Sequence, residues 1–102
     1  MRIALLGAGH IGQTIARLLA TSGDYAVTLI DRDAEALVRI AATRPAGTPI
    51  ATAQVDTEDA RALLAAVRGH AAIVNALPYH LAIAAATVAR EAGCHYFDLT
   101  ED

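Results

Sequence analysis

Six residues near the amino terminus, Gly7-Ala8-Gly9-His10-Ile11-Gly12, constrain this chain more than any others. They follow an apolar run, Ile3-Ala4-Leu5-Leu6, and open an amphipathic one that carries Ile11, Ile15, Leu18 and Leu19. A buried strand that turns tightly and runs straight into a helix satisfies both neighbours. Gly7 allows the turn, Gly9 lets a diphosphate approach the backbone, and Gly12 lets helix and strand pack together. The helix N-terminus has N–H groups without intrahelical partners and a partial positive charge, so it attracts an anion. The six-residue pattern is common by itself; the strand before it and the helix after it give it weight.

The rest of the chain repeats that strand-helix alternation. The first strand, 2–6, lacks polar alternation, as expected of a strand covered on both faces. Its helix runs from about Ile11 to Ser22-Gly23, and an apolar strand at 25–30 ends in Asp31. A second helix, 34–42, takes Asp33 as its N-cap, and the segment 44–49, with Pro45, Gly47 and Pro49, reads as a loop. A third strand, 50–55, leads to Asp56, and a third helix starts near Thr57 and closes at Gly69. A fourth strand, 71–74, precedes the loop Asn75-Ala76-Leu77-Pro78, a fourth helix runs from about His80 to Ala92, and a fifth strand covers 95–99. Right-handed crossovers then give an α/β, Rossmann-like, doubly wound parallel sheet of five strands in the order 3-2-1-4-5, with helices on both faces. The complete fold normally has a sixth strand, so residues 1–102 are expected to be one excised dinucleotide-binding domain, its open edge at strand five allowing a homodimer.

Composition excludes several classes. Apolar residues make up 55% and charged ones 19%, which fits a folded domain and not a disordered one. The net charge is −3, and the eight basic residues, all Arg, are scattered, so neither nucleic acid nor an anionic membrane is an expected partner. The charge-free run 69–89 is long enough to raise the membrane question, but Asn75, Pro78 and two histidines break it into strand, loop and helix. Cys94, the one cysteine, has no disulfide partner within the chain, which fits the cytoplasm; it reads as a small, partly buried residue, with a reactive thiol as the alternative. His10, His70, His80 and His95 share no metal-ligand spacing, so no metal site is expected.

Other residues point to the same ligand. Asp31 ends the second strand roughly 20 residues after the glycine turn, where a carboxylate accepts hydrogen bonds from the adenine ribose. That charge repels a 2′-phosphate and favours NAD over NADP, whereas Arg32, able to stack on adenine or pair with a 2′-phosphate, keeps NADP open. Asp56 follows the third strand, at the adenine edge, and explains itself equally well as a helix cap. Asn75, Ala76, Leu77 and Pro78 fall on the nicotinamide side, where small residues let the backbone approach and Pro78 stiffens the loop. Asn75 bonds either a ribose or its own turn, and a cofactor contact is the favoured role. His10, inside the glycine turn, sits near the diphosphate or faces solvent. His80 is a helix cap or a substrate contact. No nucleophile–base pair is legible, so the catalytic residues are unassigned.

Gly7-Ala8-Gly9-His10-Ile11-Gly12, Asp31-Arg32-Asp33, Asn75-Ala76-Leu77-Pro78-Tyr79-His80 and His95-Tyr96-Phe97-Asp98-Leu99-Thr100-Glu101-Asp102 together resemble the N-terminal nucleotide-binding domain of saccharopine dehydrogenase-like oxidoreductases. The last two segments are far more specific than the glycine pattern. The resemblance implies an NAD(P)-linked enzyme acting at a carbon–nitrogen bond of an amino-acid-like substrate. It also implies that the loop at 75–80 and the ending at 98–102 face nicotinamide and substrate. The family's substrate domain would lie beyond Asp102, so this chain alone is expected to bind cofactor without turnover. Two rivals have similar first turns: an NAD(H)-sensing regulatory domain of potassium transporters and an S-adenosylmethionine-dependent methyltransferase. Neither has an evident need for the features that set this chain apart, the Pro78-Tyr79-His80 loop in the first case and the third glycine in the second.

Overall fold

The apolar run near the amino terminus forms the central strand of a parallel sheet. A computed structural model describes residues 1–43 and 50–99, apart from the side chains of Thr43 and Tyr79. The strands are β1 (Arg2–Leu6), β2 (Ala26–Asp31), β3 (Ile50–Gln54), β4 (Ala72–Asn75) and β5 (His95–Asp98). The helices are α1 (His10–Thr21), α2 (Ala34–Thr43), α3 (Ala60–Val67) and α4 (Ala82–Ala92), the last preceded by a 3₁₀ turn at Tyr79–Leu81. Every described pairing is parallel and the order is β3-β2-β1-β4-β5, as the alternation and the glycine turn predict.

Side chains that alternate along β1 build two cores, one on each face of the sheet. Ala4 and Leu6 join Ile30, Leu63, Val67, Ile73, Ala85 and Val88 beneath α3 and α4. Leu5 joins Val27, Leu29, Ala16, Ala20, Leu37 and Ile40 beneath α1 and α2. Burial on both faces explains why β1 shows no polar alternation. Only small residues, Gly12, Ala16 and Ala20, are fully buried on α1, so that helix lies close against the sheet.

Several boundaries differ from those read in the sequence. Helix α3 starts at Ala60, not near Thr57, because Asp59 is its cap: Oδ1 accepts from the Arg61 and Ala62 N–H groups at 3.1 and 3.2 Å. Asp56 instead closes a turn, its Oδ1 accepting from the Glu58 N–H at 3.0 Å. The fourth helix enters through the 3₁₀ turn, with the Leu81 N–H on the Pro78 carbonyl at 3.0 Å, so its α-helical part begins at Ala82 and not at His80. Asp33 caps α2 as expected, its Oδ1 accepting from Glu35 N–H at 3.0 Å and Ala36 N–H at 3.3 Å. The loop expected at 44–49 and the ending 100–102 lie outside the described residues. No described helix is long and apolar enough to cross a membrane.

Candidate functional site

In a parallel sheet ordered 3-2-1-4-5, the chain leaves β1 and β4 in opposite directions, and a crevice opens at their carboxyl ends. The glycine turn after β1 sits there, tied to strands on both sides. Gly7 N–H donates to the Ile30 carbonyl at 2.8 Å, and Ala76 N–H donates to the Leu6 carbonyl at 2.8 Å.

The three glycines have different surroundings. Gly7 has φ +103, and a Cβ there would lie 2.9 Å from the Ala76 carbonyl oxygen and 3.2 Å from the Leu77 nitrogen. Both the backbone conformation and the space demand glycine. A Cβ on Gly12 would run into the carbonyl oxygen of Gly7, so the helix packs on its own turn. Gly9 differs: it is the N-cap of α1, with φ −70 and ψ −176, and nothing lies within 4 Å of where its Cβ would be. It caps with no side chain, and no acidic residue stands in the first turn of α1. The helix therefore presents its first N–H groups and open space together, which fits an anion such as a diphosphate. Ala8 is buried within the turn, whereas His10 and Ile11 are exposed beside it.

Asp31 is fixed to that turn. Its Oδ2 accepts from the Ala8 N–H at 2.6 Å and its Oδ1 from the Asp33 N–H at 2.9 Å. With Asp33 capping α2, Asp31 is not needed for that purpose. Each carboxylate oxygen keeps a further lone-pair site for a hydroxyl donor.

A cleft of about 200 Å³ opens beside Asp31, lined by Arg32, Thr57, Glu58, Leu77, Pro78, His80 and Leu81. It brings Asp31, Arg32, Leu77 and Pro78 together, from turns more than 40 residues apart in the chain. Asp56 is adjacent in sequence to this lining but not part of it. Thr57 and Glu58, which sequence reasoning passed over, take that place, and Arg32 Nη1 stands 4.0 Å from Glu58 Oε2.

Asn75 is turned inward and fully buried. Its Oδ1 accepts from the Leu77 N–H at 3.0 Å, and its Nδ2 donates to the Tyr96 hydroxyl at 3.0 Å. Of the two roles open to it, the side chain takes the bond to its own turn, and it shapes the Ala76–Leu77 backbone that backs Gly7. The Tyr96 hydroxyl lies 2.9 Å from Asp98 Oδ2 and 3.2 Å from the Ala82 carbonyl. Burial pushes the Tyr96 phenol above its ordinary pKa of 10.0, and the Asp98 carboxylate adds to the rise while the Asn75 bond opposes it. Tyr96 gives no local sign of this part; the signal is the polar Asn75 in an otherwise apolar strand, which needs a partner once buried.

Remote from the cleft, Cys94 Sγ lies 3.2 Å from the His70 carbonyl, and burial raises the pKa of its thiol. A raised thiol is a poor nucleophile at neutral pH, in line with a packing role. No cluster of metal-ligating side chains occurs among the described residues.

The family model described as "Saccharopine dehydrogenase NADP binding domain" matches residues 3–101. The chain belongs to this family. The saccharopine dehydrogenase (L-Glu forming) of Saccharomyces cerevisiae is similar in structure, with a TM-score of 0.79 at 22% identity, over 95% of this chain and 21% of that one. The oxidoreductase ylbE of Lactococcus lactis gives 0.76 at 19% identity, over 96% of this chain and 47% of that one. A UDP-glucose-4-epimerase of Stenotrophomonas maltophila, solved with bound NAD, gives 0.71 at 21% identity, over 92% and 34%. At these identities the likeness establishes the fold, Rossmann-like as the sequence predicts. The family match establishes a nucleotide-binding domain of the saccharopine dehydrogenase family, and the sensor alternative is not favoured. This member of the family spans about a fifth of the yeast enzyme's length.

Proposed function

We propose that this domain binds NAD in preference to NADP and serves a dehydrogenase acting at a carbon–nitrogen bond of an amino-acid-like substrate. The observation that carries the proposal is the uncapped N-terminus of α1, open above Gly9, with the Asp31 carboxylate bonded to the same turn at Ala8. The N–H groups at the start of α1 hold the diphosphate, and Asp31 accepts from the ribose hydroxyls and disfavours a phosphate on the 2′ oxygen. Bound nicotinamide supplies or accepts the hydride; the protein binds and orients it. Leu77 and Pro78 wall the cleft, and Asn75 holds the loop that carries them. That the matching family model is described as a nucleotide-binding domain supports assigning cofactor binding to these residues.

The family description names NADP, and Arg32 is the cation that could receive its extra phosphate, so the choice of cofactor is the point to test. Calorimetric titration of the chain with NAD and with NADP should give the tighter binding for NAD, and Asp31→Ser should move the ratio towards NADP. A folded chain that binds neither at millimolar concentration refutes the cofactor assignment. An unchanged ratio in Asp31→Ser removes Asp31 from the ribose.

A further inference from the structure

Arg32 and Glu58 belong to separate turns, after β2 and after β3, yet meet beside Asp31. Both side chains are well exposed, so their ion pair contributes little to fold stability. The backbone beneath each is nevertheless held in place. The Arg32 carbonyl accepts from Gln54 Nε2 at 3.3 Å, and the Glu58 N–H donates to Asp56 Oδ1 at 3.0 Å. Two carboxylates and one guanidinium thus line one small cleft, with His80 also in its wall.

We infer that Glu58 is a specificity-determining residue: it holds Arg32 by charge and adds a second carboxylate beside Asp31, on the side from which a 2′-phosphate would come. The inference rests on the dinucleotide proposal above. Arginine in this neighbourhood is the group suited to a 2′-phosphate, because its planar fork matches phosphate oxygens. While Arg32 pairs with Glu58, an incoming phosphate must compete for that fork and approach a second negative charge. NAD has a neutral hydroxyl at this place and is largely indifferent to both effects.

Removing one charge a few ångströms from a phosphate near the surface changes its affinity by about fivefold at low salt, and by less as salt screens the field. The test is calorimetric titration of the unsubstituted chain, Glu58→Gln and Glu58→Gln/Arg32→Gln with NAD and NADP, at low and at about 0.5 M salt. Glu58→Gln should bind NADP about fivefold more tightly, with NAD affinity within about twofold of the original. The gain should shrink at high salt and be mostly lost in the double variant. An NADP-to-NAD ratio unchanged by Glu58→Gln, with NAD still bound, overturns the role of Glu58 and leaves the cofactor proposal standing. A folded, unsubstituted chain that binds neither nucleotide overturns both.

Discussion

Gly9→Ala separates binding from folding, because the structure makes the fold indifferent to it whereas the proposed diphosphate contact is sensitive to it. Gly9 has φ −70 and ψ −176, a conformation alanine adopts freely, and an added Cβ meets nothing within 4 Å. Alanine is a poorer N-cap than glycine by about 0.5–1 kcal/mol, while the stiffer unfolded chain returns about 0.4–1 kcal/mol. The two nearly cancel, and the melting temperature without ligand should move by no more than a few degrees. With a diphosphate above Gly9 the new methyl occupies the approach. Losing two charge-assisted N–H bonds of about 1.5 kcal/mol each weakens binding about 100-fold. At a ligand concentration about 100 times the original dissociation constant, stabilisation should fall from about 2.7 kcal/mol to about 0.4 kcal/mol. For a domain of this size those energies correspond to shifts of about 10–20 °C and about 2–3 °C. The assay is a thermal melt of both proteins with and without NADH. If Gly9→Ala keeps its ligand-free melting temperature and also the full NADH shift, no phosphate lies over Gly9.

Two further variants probe the surroundings of that turn. Gly12→Ala gains up to about 1 kcal/mol in helix propensity, but the clash with the Gly7 carbonyl outweighs it; a net loss of about 1–3 kcal/mol should appear in denaturant titration, together with loss of nucleotide binding. Tyr96→Phe strands the buried Asn75 Nδ2 and should cost about 1–3 kcal/mol by the same method. Because folding raises the Tyr96 pKa, the native phenol keeps its proton longer than the unfolded one, so its contribution is complete below pH 10.0 and lost as pH rises through the higher native value. The gap between wild type and Tyr96→Phe should therefore narrow above pH 10.0; a gap that is constant or widens refutes the network.

What the sequence reveals and what it hides divide along a physical line. The glycine turn and the strict strand-helix alternation determine the sheet order, since crossover handedness leaves few alternatives. Asp33 is legible as a cap because its donors, Glu35 and Ala36, follow within three residues. Asp56 and Asp59 offer the same local signal three residues apart, and only the folded turn shows that Asp56 bonds Glu58 N–H and leaves the cap to Asp59. Asn75 could face either way until Tyr96, 21 residues later, is brought beneath it. Phe97 is 57% exposed on β5, the edge of the described sheet, at the strand where the sequence leads one to expect an open edge. Glu58 carries no local sign of its place in the cleft, because the arginine it meets lies on another turn.

The two roles proposed for Asp31 decide how its substitution must be read. Its Oδ2 restrains the Ala8 N–H, one residue from Gly9, so the carboxylate holds the turn proposed for the diphosphate whether or not it also faces the ribose. Ser reaches less far than Asp, and losing that bond frees the turn and weakens every dinucleotide alike. A drop in NAD affinity alone therefore says nothing about the ribose. The ratio of NADP to NAD does, because the loosened turn enters both affinities and cancels, leaving only the interaction at the 2′ position. If Asp31 acts solely through Ala8, Asp31→Ser lowers both affinities by the same factor. If it also faces the sugar, the ratio moves towards NADP even as both bind less tightly.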